Sequence, residues 1–342
     1  MSTTTNEKTE GNLDNPWAAR LASLTLAPAV GHRGLRMYPL VGPDDAAVTY
    51  LTLDQALMAG TVMIGESGAA GTVPELNVIN AGGARVLIVD GEELIGAKQN
   101  RIVNTTVLIE ANTTALLPVS CVEQGRWNQE SAAFRSEATH YNSRGRQAKA
   151  DEVSLSLLLG GRPAADQGRV WGDVSAKLSR MAVCSDTHAL RDLSRERAEQ
   201  IHTFQEALAV TVPDQVGAAF AIGREIVGLD LFNLSSTLQM LLPKLIGSYA
   251  LDVLDERPTA ASPPAATVEE WLETVRTAPH RTHPAVALGH DARLAGNGLS
   301  GGALLVNNTV VHLSAFRHTR THSDPGPGTS RMARASTRLG MS

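Results

Sequence analysis

Short apolar runs separated by turn residues dominate the chain from residue 37 to residue 109. Runs of this length, broken by Gly, Asp, Asn and Ser, are typical of strands rather than helices. An Asp-Gly pair at Asp90 and Gly91 lies between two such runs, residues 85–89 and 92–95, and this pair predicts a two-residue hairpin. The pattern therefore predicts an antiparallel β layer in this part of the chain.

Two later pairs of apolar runs predict strands that complete this layer. Residues 216–222 and 226–232 flank a short polar turn and form a predicted second hairpin, and residues 286–288 and 303–316 predict the last strands. Because an isolated hairpin is only marginally stable, we expect the later strands to join the earlier ones. The predicted fold class is α+β: an antiparallel β-sheet system, with a sandwich as one arrangement, and packed helices.

Composition along the chain predicts its domain organisation. Residues 1–14 and 318–342 are polar, and we expect two disordered tails, the second of them basic, around a single domain over residues 15–317. Apolar residues at helical spacing predict a helical insertion at about residues 171–210. A run of Pro, Ala and Ser predicts a linker at about residues 258–266.

Charge and cysteine content exclude several classes of protein. The chain has 30 Lys and Arg against 35 Asp and Glu, a formal net charge of −5, so we expect no nucleic-acid partner. No apolar run approaches the ~18–20 residues that span a bilayer, so we expect a cytoplasmic protein without membrane contact. The two cysteines, Cys121 and Cys184, lack the spacing of a disulfide scaffold or a thiolate zinc site. We expect no metal and no cofactor.

The densest polar segment of the chain is residues 91–101. Its charged and amide side chains are Glu92, Glu93, Lys98, Gln99, Asn100 and Arg101. In a regular strand Lys98 and Asn100 would face one side, and the two residues that alternate with them would face the other. A ligand site and an exposed edge strand with a solvated polar face are both consistent with this pattern.

A second polar segment spans residues 120–127. Cys121 and Glu123 share one face of the predicted strand, and a glycine then allows the chain to turn towards Arg126 and Trp127. A guanidinium beside an indole suits a planar anionic or nucleotide-like ligand. This segment is therefore the second half of the predicted ligand site.

Three further polar features have both a structural and a chemical interpretation. Cys121 is either a small buried hydrophobic residue or a nucleophile that His140 approaches in space. Asp230 lies inside an apolar strand, so if it is buried it needs a partner such as an arginine or a backbone amide, unless it is catalytic. The polar, irregular residues 126–151 are predicted to form a surface loop or lid.

The two polar segments, together with residues 228–232 and 243–249, resemble the prokaryotic domain family associated with ADP-ribosylglycohydrolases and rhodanese-type phosphatases. The resemblance covers roughly residues 40–316. It implies a participant in the processing of ADP-ribose or related nucleotide signals, with an ADP-ribosylglycohydrolase or a phosphatase-like protein as partner. The implication concerns association only, because the resemblance supplies no reaction.

Two functional hypotheses follow. In the first, an accessory or ligand-binding protein holds a small anionic, nucleotide-derived ligand in a polar pocket formed by Lys98, Gln99, Asn100, Arg101, Glu123, Arg126 and Trp127. In the second, a hydrolase acts on an ADP-ribose-type or phosphorylated small molecule. Its candidate catalytic residues are Glu92, Glu93 or Glu123 as general base and Cys121 as nucleophile. A purely structural role is the third alternative, favoured if the polar side chains of both segments are dispersed over the surface.

Overall fold

The computed structural model describes residues 15–68, 72–209 and 212–318. The helices in these residues are α1 (Pro16–Ala22), α2 (Leu53–Met58), α3 (Ser143–Leu158), α4 (Gln167–Arg180), α5 (Leu190–Glu196), α6 (Ala198–Leu208), α7 (Ser235–Glu256) and α8 (Ala265–Arg276). The strands are β1 (Thr25–Leu26), β2 (Val30–His32), β3 (Leu35–Val41), β4 (Leu51–Thr52), β5 (Val62–Glu66), β6 (Glu75–Asn80), β7 (Val86–Ile88), β8 (Glu92–Gly96), β9 (Arg101–Val103), β10 (Val107–Ile109), β11 (Thr113–Cys121), β12 (Phe134–His140), β13 (Gln215–Ile222), β14 (Glu225–Phe232), β15 (His280–Pro284), β16 (His290–Gly296), β17 (Leu299–Val306) and β18 (Thr309–Arg317).

Nine antiparallel strands form a large sheet in the order β1-β3-β13-β14-β18-β17-β16-β15, and β2 also pairs with β3. Along the central strand β13, Ala218 and Phe220 face one hydrophobic core, whereas Ala219 and Ala221 face another. Alternating side chains of one strand point to opposite faces of its sheet. Both faces of β13 are buried, which explains why its residues 216–222 are apolar without an alternating polar face.

Helices cover both faces of the large sheet. Trp17 of α1 and Trp271 of α8 belong to the core on one face. On the other face α7 lies along the sheet, and the Tyr249 ring stacks on Phe220 with 4.0 Å between ring centroids. Pro243 lies inside α7, and Phe204 of α6 joins the same core.

Six further strands close into a barrel in the order β11-β6-β5-β12-β8-β9. Its interior is filled by aliphatic side chains and Phe134, all of them buried. A small sheet of β10, β7 and β4 lies beside it, with β4 and β7 parallel. Helix α7 contacts both β13 of the large sheet and β12 of the barrel, and it therefore joins the two β systems.

The predicted α+β class is confirmed, and the later strands do join an earlier one, since β13 pairs with β3 along its length. The predicted hairpin at Asp90 and Gly91 does not form, so this prediction is wrong. A turn is present there, with the Glu92 N–H donating to the Val89 carbonyl at 3.1 Å, but β7 pairs within the small sheet and β8 within the barrel. Beyond the turn the two strands pair with different partners, and the Gly91 N–H donates to the carbonyl of Val103.

The surface loop predicted over residues 126–151 is wrong beyond residue 133, because residues 134–140 form β12. Residues 143–151 begin α3, in which the Arg146 and Lys149 side chains are 0% and 1% exposed. The carboxylates that neutralise these cations, Asp90 and Asp230, lie at least 56 residues away in sequence, so no local pattern reveals their burial. The predicted disordered tails fall outside the described residues, except for residue 318.

Within the described ranges, no helix has both the length and the apolar character needed to cross a membrane.

Candidate functional site

The first polar segment does not continue as one strand. β8 ends at Gly96, and residues 97–100 form a bend before β9 begins at Arg101. The backbone φ of Ala97 is 41°, in the left-handed region, which turns the chain at this point. The predicted strict alternation of side chains over residues 98–101 is therefore wrong, because adjacent side chains along a bend can reach the same region.

This bend brings the two polar segments into contact. The Gln99 amide Nε2 donates to the Glu123 carbonyl at 2.9 Å, and the Asn100 N–H donates to Glu123 Oε2 at 3.0 Å. Arg126 Nη2 donates to the same Oε2 at 2.6 Å and to Asn100 Oδ1 at 3.2 Å. We call this buried group the motif cluster, and its members are Gln99, Asn100, Arg101, Cys121, Glu123 and Arg126. These side chains are therefore not dispersed over the surface.

Glu123 is held in its ionised form. Burial acts to raise the pKa of this carboxyl, but hydrogen bonds from Arg126, from the Asn100 N–H and from the Thr187 hydroxyl outweigh burial and lower the pKa below its ordinary value. The pKa of Arg126 is correspondingly raised, because its ion pair with Glu123 outweighs burial. A general base for neutral pH needs the opposite shift. Glu123 therefore links the two segments and is poorly suited to proton transfer.

Arg101 is the completely buried cation of the motif cluster, with 0% exposure. Its Nη1 donates to Gln99 Oε1 at 3.1 Å and to the Asn100 carbonyl at 3.4 Å. Among the described residues, Nε and Nη2 have no hydrogen-bond partner. Burial lowers the pKa of this guanidinium, yet an arginine stays protonated in proteins. A buried cation with two unpartnered donors is a strong binding group for an anion.

An indole covers this guanidinium. The Trp127 ring centroid lies 5.9 Å from Arg101 Cζ and 5.3 Å from Lys98 Nζ, both within the range of a cation–π contact. Trp127 is 49% exposed, so it offers a stacking surface next to the buried charge. Lys98 also lines a cavity of about 330 Å³ beside the motif cluster, together with Glu66.

Cys121 lies inside the motif cluster as a thiol. Burial raises the pKa of this thiol, and its Sγ donates to Gln99 Oε1 at 3.2 Å. The deprotonated form needed for nucleophilic attack is therefore disfavoured. His140, the predicted activator, lies instead among Arg146 and other residues of a separate buried network. The geometry agrees with the interpretation of Cys121 as a small buried residue.

Glu92 and Glu93 face opposite sides of β8, as alternation predicts. Glu92 Oε1 accepts from Lys244 Nζ of α7 at 3.0 Å, and Glu92 Oε2 accepts from the Val89 N–H at 2.8 Å. Glu93 is 0% exposed, and no other described residue is in hydrogen-bonding geometry with either carboxyl oxygen. Burial raises the pKa of Glu93 to about 8, and the nearby Thr139 hydroxyl offsets this only in part. Neither carboxylate belongs to the motif cluster.

The sequence did not reveal a second buried network, where α3 meets the large sheet and the small sheet. Arg146 donates to Asp230 through Nη2 at 2.6 Å and Nη1 at 3.1 Å, and Lys149 forms an ion pair with Asp90. Asp230 thus has the arginine partner that its burial requires. His312 lies 3.4 Å from Asp230 Oδ1 through Nε2. The only local signal is Asp230 itself, a carboxylate within an apolar strand.

The comparisons with known proteins give a family and no closer relative. The family model described as ARPP-1, the ARG and Rhodanese-Phosphatase-superfamily-associated Protein domain, matches residues 23–316. No curated protein and no solved structure matches the chain. The match includes both polar segments and nearly all of the described strands and helices. The chain therefore belongs to the ARPP-1 family.

Proposed function

We propose that this protein is an accessory ligand-binding protein that holds a small anionic ligand with a planar ring at Arg101 and Trp127. The observation that carries the proposal is the buried Arg101 guanidinium, whose Nε and Nη2 have no hydrogen-bond partner in the described part of the chain. Leaving a charged donor buried and unpaired costs more than leaving a neutral one. An oxyanion that accepts from both nitrogens removes this cost, because a guanidinium binds such groups in a bidentate manner.

The surroundings of Arg101 favour an anion over a neutral ligand. Arg126, the other arginine of the motif cluster, is already neutralised by Glu123 at 2.6 Å. The Lys98 ammonium lies over the same indole as Arg101, and the Glu66 carboxylate also acts on the Arg101 guanidinium. The Arg101 guanidinium, with two donors unpartnered among the described residues, suits a phosphate or a carboxylate.

The half-exposed indole favours a ligand that also carries a planar ring. Base–aromatic stacking contributes to affinity without requiring a specific base, because every base has a π face. The name of the family associates it with ARG proteins and the rhodanese-phosphatase superfamily. A nucleotide-derived ligand such as ADP-ribose combines an anionic group with a planar ring and fits this association. Because Trp127 lies over Arg101, we expect the indole to move when the anion enters.

Isothermal titration calorimetry with ADP-ribose, AMP and inorganic phosphate tests the proposal. We expect Arg101→Met to weaken binding at least a hundredfold, because the anion loses a buried charged partner. Trp127→Ala weakens binding of the ring-containing ligands about tenfold and leaves phosphate binding nearly unchanged. Arg135→Met is the matched control, because the Arg135 side chain on β12 is 55% exposed and lies outside the motif cluster.

Thermal unfolding of each variant separates a lost ligand from a lost fold. A folded Arg101→Met protein that binds as tightly as the wild type contradicts the proposal. So does the absence of heat for the wild-type protein with every probe at millimolar concentration.

A hydrolase is the second candidate function, and Glu93 is the observation that favours it. A carboxyl with a pKa raised to about 8 is protonated at neutral pH and suits a general acid, or a base at slightly alkaline pH. Turnover of ADP-ribose or a phosphorylated sugar should then fall at least a hundredfold in Glu93→Gln and stay unchanged in Glu269→Gln, at an exposed carboxylate of α8. Equal turnover in Glu93→Gln and wild type eliminates this role.

A further inference from the structure

A cavity of about 780 Å³ lies where three helix ends meet the turn between β2 and β3. The helix ends are the C-terminus of α4, the N-terminus of α6 and the C-terminus of α7. Each of these four places contributes one arginine to the lining: Arg33, Arg180, Arg197 and Arg257. The described residues that line this cavity are all distinct from the motif cluster. The cavity is therefore a separate, concave and strongly basic surface.

The acidic side chain on the lining, Asp255, is already neutralised. It accepts from Arg180 through Nε at 3.0 Å and through Nη2 at 2.6 Å, and it forms a second ion pair with Lys177 at 3.0 Å. Glu256, the next residue, pairs with Arg144 at 2.8 Å. Neither carboxylate is therefore free to neutralise the other arginines of the cavity.

Three arginines of the cavity keep a net positive charge. Arg33, Arg197 and Arg257 form no ion pair with any carboxylate in the described part of the chain. Arg197 Nη2 donates to the Met181 carbonyl at 2.5 Å, and this neutral acceptor leaves the charge uncompensated. The glutamates of α5 and α6 are exposed and lie off the lining. Like charges that converge in this way repel one another, so their arrangement needs an explanation.

The backbone at Arg33 and Arg257 is unusual for arginine. Their φ angles are 43° and 49°, in the left-handed region that is costly for a bulky residue. Arg33 and Gly34 form the two-residue turn between β2 and β3, where Asn, Asp or Gly is favoured at the first position, and Arg257 ends α7, where glycine is usual. Within the described residues these are the two arginines with a positive φ, and both line this cavity. A requirement for guanidinium groups at the cavity explains why arginine occupies both positions.

We propose that this cavity binds a compact polyanion with two or more linked phosphate groups, through Arg33, Arg197 and Arg257. A guanidinium binds phosphate oxygens through parallel hydrogen bonds. One phosphate group carries a charge of only about −1.5 to −2 at pH 7, so linked phosphates neutralise three arginines better than a single one does. The cavity volume falls within the range of about 300–1,000 Å³ that is typical of small-molecule sites. The proposal does not depend on the anion site at Arg101.

Isothermal titration calorimetry of the full chain with inorganic tripolyphosphate, inorganic phosphate and ATP tests this proposal. We expect tripolyphosphate to bind at least tenfold more tightly than inorganic phosphate, because it pairs with several arginines at once. ATP is titrated into Trp127→Ala, in which stacking on that indole cannot contribute. An ATP affinity above that of tripolyphosphate identifies a nucleotide as the occupant, and an equal or lower affinity identifies a free phosphate chain.

Glycine variants separate a role in binding from a role in the fold. Arg33→Gly and Arg257→Gly should each weaken tripolyphosphate binding about tenfold. Their melting temperatures should stay at or above that of the wild type, because glycine adopts a positive φ without strain. Arg281→Gly is the matched control, because Arg281 is exposed on β15, at the opposite edge of the large sheet from β1 and β3. This variant should bind tripolyphosphate as tightly as the wild type.

The outcomes distinguish this cavity from the anion site. If ADP-ribose affinity falls only in Arg101→Met, and tripolyphosphate affinity falls only in Arg33→Gly and Arg257→Gly, the two sites are independent. Tripolyphosphate binding that is lost in Arg101→Met and unchanged in both glycine variants contradicts the second site. So does tripolyphosphate binding that is no tighter than that of inorganic phosphate.

A structural role would give a different result. A cation at a helix C-terminus also stabilises the helix, which applies to Arg257 at the end of α7. If the glycine variants lose affinity only together with several degrees of melting temperature, these arginines serve the fold, and the proposal is contradicted.

Discussion

At the scale of single residues, Glu92 and Glu93 show how neighbours in sequence acquire opposite environments. The strand places Glu92 against Lys244, 152 residues away, whereas Glu93 pairs with Ile102 in the register of β8 and β9. Because side chains alternate along a strand, the sequence predicts that the two carboxylates point to opposite faces of β8. Which of them is neutralised depends on α7, which supplies Lys244. The sequence therefore predicted two candidate bases and could not separate them.

Replacing Glu93 with Gln should stabilise the protein increasingly as pH rises. The folded-state pKa of about 8 lies above the value of 4.5 expected for the unfolded chain, so between these values the native state binds the extra proton. The free energy of unfolding of the wild type therefore falls with rising pH in this window. Between pH 5.5 and pH 8 we expect Glu93→Gln to gain about 3 kcal/mol relative to the wild type.

Chemical denaturation of both proteins across this pH range measures the difference. Glu269→Gln on α8 is the control, because this carboxylate is exposed and its substitution should change the free energy of unfolding by less than about 0.5 kcal/mol at every pH. A constant difference between Glu93→Gln and the wild type across the range would show that Glu93 is ionised in the folded protein.

At the scale of helices and strands, local signals were predictable and strand partners were not. The predicted second hairpin forms from β13 and β14, because a hairpin depends on a few adjacent residues. The turn at Gly91 is likewise present, yet its strands enter different sheets. Strand pairing depends on contacts with distant segments, which short sequence patterns do not specify.

Gly91 should be the more sensitive of two turn glycines to alanine. Its φ is 86°, and an added Cβ would lie 2.6 Å from His140 Cε1, so the substitution introduces both backbone strain and a clash. Gly60 has a φ of 65° with nothing within 4 Å of an added Cβ, so Gly60→Ala measures the cost of backbone strain without a clash. We expect losses of about 1 kcal/mol for Gly60→Ala and about 3 kcal/mol for Gly91→Ala.

Urea denaturation of the two variants gives these values directly. Equal losses for Gly60→Ala and Gly91→Ala would mean that His140 does not press against the turn in the folded protein.

At the scale of the whole molecule, two β systems meet through α3, α7 and the residues between them. The sequence predicted the α+β class and the meeting of the two polar segments, because both follow from local composition and from the resemblance of their motifs to one family. It missed the closed barrel and the buried pairing of Arg146 with Asp230. Those features arise only when elements far apart in sequence pack together.

Arg101 is the anion-binding group of the proposed function, and its Nε–H reports most directly on that role. We would record the arginine Nε–Hε signals of the ¹⁵N-labelled protein during titration with ADP-ribose, with Arg101→Lys identifying the relevant signal. Because Nε lacks a hydrogen-bond partner among the described residues, we expect a saturable shift of this signal, larger than that of Arg126. An unchanged Arg101 signal at saturating ADP-ribose would contradict it.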